Sequence, residues 1–171
     1  MSSPLVSIVM GSDSDLPQMK HCAGVLEYFN IPFEMTIASA HRSPEFTTHY
    51  AKNLTKRGIQ VVIAGAGGAA HLPGVVASLT TVPVIGIPLK TDALSGVDSL
   101  YSIIQMPKGI PVATVAIGEP GAYNAGILAA QILALKNPVL KRKILNFKEN
   151  LENGVVTKSL KLKKVGYRNY K

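Results

Sequence analysis

Leu5-Val6-Ser7-Ile8-Val9-Met10 stops at Gly11, turns through Ser12-Asp13-Ser14-Asp15, and yields at Leu16 to apolar residues at helical spacing. The first six residues are short, branched and nearly all apolar, the pattern of a strand buried on both faces. Residues 16–29 then place Leu16, Met19, Ala23, Leu26 and Tyr28 or Phe29 at intervals of three and four, with Pro17 in the first turn, where a missing N–H is harmless. A buried strand, a glycine turn and an amphipathic helix make half of a βαβ unit.

The same alternation continues along the chain. Strands are expected at 33–38, 60–64, 83–87 and 112–117, each bounded by Gly, Pro or Asn. Between them, helices are expected at 43–56 with Ser43 as N-cap and Gly58 as stop, at 71–79, within 92–106, and at 122–135. In the third of these, Leu94, Val97, Leu100, Tyr101 and Ile104 would share one face. A last helix is expected at 139–151. Continuous apolar strands separated by helices imply a three-layer α/β/α, doubly wound parallel sheet with right-handed crossovers. The expected architecture is flavodoxin-like, with a five-stranded core in the order 2-1-3-4-5 and a C-terminal helical extension. It assigns residues 1–150 to a single α/β catalytic domain and 151–171 to a basic extension.

The 171 residues suffice for one domain with a substantial core. At 47% hydrophobic and 16% charged residues, the chain is neither disordered nor fibrous. No basic leader precedes the first strand, and no apolar run approaches the roughly 20 residues that span a bilayer. The single cysteine, Cys22, excludes an intrachain disulfide framework. These features lead to the expectation of a soluble cytoplasmic protein with no membrane partner. Net charge is +8, but residues 136–171 hold 11 Lys/Arg against 2 Asp/Glu, leaving 7 against 8 elsewhere. The basicity belongs to the tail. It is read as a solvated terminal segment rather than a nucleic-acid site, since no aromatic platform or binding motif accompanies it. Pairing with an acidic patch on a neighbouring subunit is the third reading.

Three loops follow the first three strands and, in this topology, meet at one crevice. In the first, a glycine and hydroxyls at a helix start suit phosphate, with free N–H groups facing the anion and Ser12 and Ser14 as donors. Carboxylates repel phosphate, so Asp13 or Asp15 should cap the helix or bind a sugar hydroxyl, and Asp15 is assigned the latter. An ordinary capped turn is the alternative. In the second loop, Ser39-Ala40-His41-Arg42 sets an imidazole able to exchange protons near neutral pH beside a guanidinium fork for an anion. In the third, Gly65-Ala66-Gly67-Gly68-Ala69-Ala70 is nearly bare backbone, suited to close approach by a flat ligand or to a tight packing turn. His71 is a second site residue or a helix-end cap. His21 and His49 read as structural, and no metal-ligand spacing occurs.

Together with Gly74 and the stretches 93–107 and 111–117, these motifs resemble the PurE family, the N5-carboxyaminoimidazole ribonucleotide mutases of purine synthesis. The resemblance covers roughly residues 5–136. It implies a reaction without metal or organic cofactor, in which carboxylate moves from the exocyclic nitrogen to ring carbon C4 through enclosed carbon dioxide. His41 would be the general acid and base. Ser12, Asp15 and Arg42 would bind the ribose phosphate, and Ser39, Gly67, Ala69, Ala70, His71 and Leu72 would line the base and carbon dioxide pocket. The resemblance also implies a homo-octamer and coupling to an ATP-dependent carboxylase that makes the carbamate. Nothing precedes Met1 in the sequence given, so that enzyme, where present, is expected on a separate chain or was cut away. One rival is direct carboxylation of aminoimidazole ribonucleotide by carbon dioxide, a branch that tends to carry Lys where Arg42 stands. Another is a flavin- or nucleotide-binding module without turnover.

Overall fold

The computed structural model describes residues 3–171. Five parallel strands, β1 (Val6–Met10), β2 (Phe33–Ile37), β3 (Val61–Ala66), β4 (Val84–Pro88) and β5 (Ala113–Thr114), lie in the order β2-β1-β3-β4-β5. This is the expected order. The helices among the described residues are α1 (Leu16–Tyr28), α2 (Pro44–Lys52), α3 (Leu72–Leu79), α4 (Val97–Ile104), α5 (Glu119–Ala134) and α6 (Pro138–Val165). By contact density the chain forms two compact units, Met1–Leu133 and Ala134–Lys171.

β1, β3 and β4 are buried at every position, as their apolar runs require. One face carries Val9, Val62, Ala64, Ala66 and Val84, packed with Tyr50, Leu54, Leu72, Val76 and Ile103 from the α2, α3 and α4 side. On the other face a Cβ at Gly65 would overlap the Met19 thioether, so α1 lies directly against β3. Α Cβ at Gly126 would lie 2.7 Å from Val25, which brings α5 onto α1.

Several expectations are corrected. β5 has two residues rather than six, and β2 and β5 are only partly buried, because an edge strand has a neighbour on one side alone. β3 runs on through Gly65 and Ala66. Along α1, Leu16 is exposed, Phe29 rather than Tyr28 is the buried one of that pair, and Cys22 and Val25 are buried; Val25 lies off the sheet-facing stripe but is covered by α5. Residues 43–56 divide into α2 and a separate 3-10 turn, Thr55–Arg57, with Gly58 in the left-handed conformation at its end. Ser43 occupies the N-cap position without capping; its hydroxyl instead donates to Ser39 O at 3.1 Å. α6 passes the expected stop at Leu151, because a lone Gly154 costs only about 1 kcal/mol in a helix interior. Asn137 caps its start by accepting from Leu140 N.

The apolar face expected on α4 points outward in the single chain. Val97, Tyr101 and Ile104 are 43%, 66% and 52% exposed, Leu94 before them is exposed, and Ser99 and Ile103 point in. Ser99 is turned inward because its hydroxyl is fully used there, accepting from Gly68 N at 2.9 Å and donating to Leu89 O at 2.8 Å.

A second polar group is buried between β1 and α2. Ser7 Oγ donates to Glu34 Oε1 at 2.8 Å and shares a hydrogen bond with the Tyr50 hydroxyl, and Arg57 donates to the same Glu34 oxygen at 2.9 Å. Burial first, then the Glu34 charge, pushes the Tyr50 hydroxyl up to about 12 from its usual 10.0, against the opposing pull of Ser7 and Arg57. Burial likewise pushes the Cys22 thiol up to about 12 from 9.0. The unfolded chain releases these protons at a lower pH than the folded one, so stability is full below the unfolded values and is lost as pH rises toward the folded ones. Denaturant midpoints should therefore fall steadily from about pH 9 to about pH 12, and a Tyr50→Phe, Cys22→Ala double variant should show a shallower decline. Parallel profiles for the two proteins would contradict this account.

Candidate active site

The carboxyl ends of β1, β2, β3 and β4 open on one cleft of about 450 Å³. It forms beside the point where the strand order reverses, between β1 and β3. Ser12, Asp15, Ser39, His41, Arg42, Gly67, Ala69, His71 and Leu72 all line it. Ser14 and Ala70 do not. Ser14 is exposed with its N–H turned back to Ser12 and Asp13, and Ala70 is buried in the core on the α2 and α3 side.

The turn after β1 is more closed than a bare helix start. Residues Asp13–Asp15 form a 3-10 turn with a capping box: Asp15 Oδ2 accepts from Ser12 N at 3.0 Å and Ser12 Oγ accepts from Ser14 N at 3.4 Å. The N–H groups expected to face an anion are thus already bonded within the loop. Ser12 Oγ also donates to Asp13 Oδ1, and this bond leads in holding the exposed Asp13 carboxyl below its ordinary value. Asp15 moves the other way. Partial burial raises its carboxyl, and bonds from the Ser12 and Gly11 backbone and the Arg42 charge offset this only in part.

Arg42 joins two of the loops. Its Nη2 donates to Gly11 O at 2.9 Å, and its backbone N donates to Ser39 Oγ at 3.2 Å. Ser39 is itself held by Ser43, whose hydroxyl accepts from Ser39 N. Arg42 Nε also donates to Ser39 Oγ at 3.5 Å, so the guanidinium is aimed before any ligand arrives, with Nη1 and the second Nη2 hydrogen left to form charge-assisted bonds.

His41 and His71 face one another across the cleft. His41 Nε2 lies 2.8 Å from His71 Nδ1, with the rings edge to face at 86°. Such a bond holds one proton between two nitrogens, so the tautomer of either ring is tied to that of the other. The remaining nitrogens, His41 Nδ1 and His71 Nε2, are left to meet a ligand. Both histidines are exposed in the single chain. This pairing joins residues thirty positions apart and leaves no local mark in the sequence.

The third wall is backbone. Gly68 has φ of +65°, a left-handed conformation open to glycine at little cost. A Cβ at Gly67 would press on Thr91 Cγ2 at 3.1 Å. Thr91, from the loop after β4, is a lining residue that the sequence reading missed. The available signal was topological, since β4 also ends at this edge of the sheet. Among the described residues no group of three or more His, Cys, Asp or Glu is placed to hold a metal ion. No helix among them is long and apolar enough to cross a membrane.

Comparison with known proteins yields one consistent result. Residues 5–154 match the family model described as AIR carboxylase, beyond the span of about 5–136 seen from motifs. The N5-carboxyaminoimidazole ribonucleotide mutase of Thermotoga maritima is 58% identical over 98% of this chain and 96% of its own length. The phosphoribosylaminoimidazole carboxylase of Schizosaccharomyces pombe is 54% identical over 99% of this chain but only 30% of its own length. A crystal structure of PurE from Treponema denticola superposes with a TM-score of 0.85 at 30% identity, covering 94% of this chain and 99% of that one.

The geometry of Arg42 yields a direct test. Replacing Arg42 by Ala removes a charge-assisted anion contact of about 1.5–3 kcal/mol, so affinity for a phosphorylated probe such as ribose 5-phosphate should fall about 10- to 100-fold. Titration calorimetry measures this, and unchanged affinity would place the anion elsewhere.

Proposed function

The chain belongs to the AIR carboxylase family, and on that footing we infer that it is an isomerase of purine biosynthesis. It converts N5-carboxyaminoimidazole ribonucleotide to 4-carboxy-5-aminoimidazole ribonucleotide. The observation that carries this reading is the 58% identity, along nearly the whole chain, to a protein named for that mutase activity.

The lining of the cleft supports the following roles. As the bond between the exocyclic nitrogen and its carboxylate breaks, His41 delivers a proton to that nitrogen, giving the free amine and carbon dioxide. Ring carbon C4, made nucleophilic by the amine, attacks the carbon dioxide and forms the new C–C bond. His41 then removes the C4 proton, restoring the aromatic ring and its own charge state. Atoms and electrons balance without an oxidant, reductant or cofactor. His71, bonded to His41 Nε2, leaves Nδ1 of His41 as the proton-transfer atom in this arrangement. Arg42, Ser12 and Asp15 hold the ribose phosphate. Ser39, Gly67, Ala69, His71 and Leu72 border the base and the migrating fragment, with Ala70 packed behind them.

Carbon dioxide must be retained between the two steps, so water and exits have to be excluded during turnover. The exposed His41 of one chain supports a site completed by bound nucleotide and a neighbouring subunit, consistent with a homo-octamer in the cytoplasm. An ATP-dependent carboxylase supplies the carbamate. The second reading is direct carboxylation of aminoimidazole ribonucleotide, supported by the 54% identity to fungal proteins named phosphoribosylaminoimidazole carboxylase. In those proteins this chain's counterpart is under a third of the length.

Two measurements test the assignment. At low bicarbonate the protein should convert the carbamate nucleotide readily, while aminoimidazole ribonucleotide plus bicarbonate should react poorly; the reverse preference would select the carboxylase. His41→Asn should lower turnover by at least about 10²- to 10⁴-fold with nucleotide affinity changed only slightly. Turnover at the parent rate would remove His41 from the mechanism.

A further inference from the structure

We propose that Ser99 is a positioning residue for the carboxylate transfer, shaping the backbone wall at Gly67 and Gly68 that retains the carbon dioxide fragment. The proposal rests on the mutase reading above. Ser99 touches no ligand-facing surface: it is 0% exposed, one of three fully buried polar residues among those described, with Ser7 and Thr47. Its hydroxyl accepts from Gly68 N at 2.9 Å and donates to Leu89 O at 2.8 Å, tying the loop after β3 to the end of β4. One turn later on α4, the Ser102 hydroxyl shares its one proton between Asp98 O at 2.8 Å and Gly68 O at 3.3 Å. α4 therefore holds both polar groups of Gly68.

The loop needs this hold. Gly65, Gly67 and Gly68 have no side chains to fix them by packing, and Gly68 sits at φ +65°. Hydrogen bonds to its backbone are what select one shape from the many open to glycine. The orientation of α4 shows the cost accepted for this arrangement. Turning Ser99 inward leaves Val97, Tyr101 and Ile104 outward, against the hydrophobic pattern of the helix. Such a breach of a local rule is expected where function demands it. At the cleft, Gly67 and Gly68 form the lining directly, so a shift in their peptide moves the wall itself. A displacement of about 1 Å in a positioned reaction can cost about 100-fold in rate. For a fragment that is free between two bonds, the same displacement opens an exit.

The test measures retention as well as rate. The parent and Ser99→Ala proteins are supplied with the carbamate nucleotide in ¹³C-bicarbonate, and the label in the carboxylated product is followed with turnover and nucleotide affinity. Parent turnover by itself tests the mutase reading; the ratio of variant to parent tests the role of Ser99. Ser99→Ala should bind nucleotide within about threefold, turn over about 10- to 100-fold more slowly, and incorporate label from solution that the parent largely excludes. Ser99→Thr, which keeps the hydroxyl, should recover most of the exclusion. Ser102→Ala leaves the Ser99 bond to Gly68 N in place while removing the contacts to Gly68 O and to Asp98 O within α4, and it serves if Ser99→Ala does not fold; it should show a smaller rise in label. Parent-like label incorporation in the folded Ser99→Ala protein, or in Ser102→Ala where that protein must stand in, overturns the proposal whatever happens to the rate.

Discussion

β1 pairs with β2 on one side and β3 on the other, both parallel, with Met10 opposite Ile37 and Gly65. Every loop of the cleft is placed by that register. Because the chain leaves β1 for one edge and later returns to the other, the crossovers diverge and the loops between them stand apart. Ser7 pins the register chemically. Its hydroxyl meets Glu34 and Tyr50 on the α2 face, and a slip of one residue would carry it to the face packed by Met19. There an unpaired buried hydroxyl would cost about 1–3 kcal/mol. Slipping the strand would also displace the Gly11 carbonyl that receives Arg42.

The central strands were legible because burial on both faces leaves an unbroken apolar run in the sequence. The edges were not. Residues 112–117 read as a six-residue strand, yet only Ala113 and Thr114 pair, since apolar composition does not reveal where neighbours end. Which way α4 faces was illegible for a different reason. Counting apolar side chains assigns no value to a serine, whereas two buried hydrogen bonds decided which way the helix faced. The site divides along the same line. His41, Arg42 and the bare-backbone loop were visible as residue types at strand ends. The His41–His71 bond, the Arg42–Gly11 tether and the contribution of Thr91 join distant positions, so only the folded chain displays them.

The capping box sharpens what the proposed anion seat can do. A free helix start would offer N–H groups to phosphate, but here Asp15 and Ser12 satisfy them first. Two carboxyls and one guanidinium then share a small volume, and they are not equivalent. Asp13, exposed and bonded to Ser12, ionises easily, whereas partial burial makes Asp15 the carboxyl that more readily keeps a proton. A phosphate arriving beside Arg42 adds negative charge near Asp15, and like charge further favours its protonated form. Seating the anion and protonating Asp15 are thus linked: each favours the other, and a protonated Asp15 gains a donor that a phosphate or sugar oxygen can use. Arg42 is already tethered to Gly11 and Ser39, so little side-chain entropy remains to be lost when the anion binds. The positive charge of the seat is oriented by the fold in advance, while its negative charge adjusts as the ligand enters.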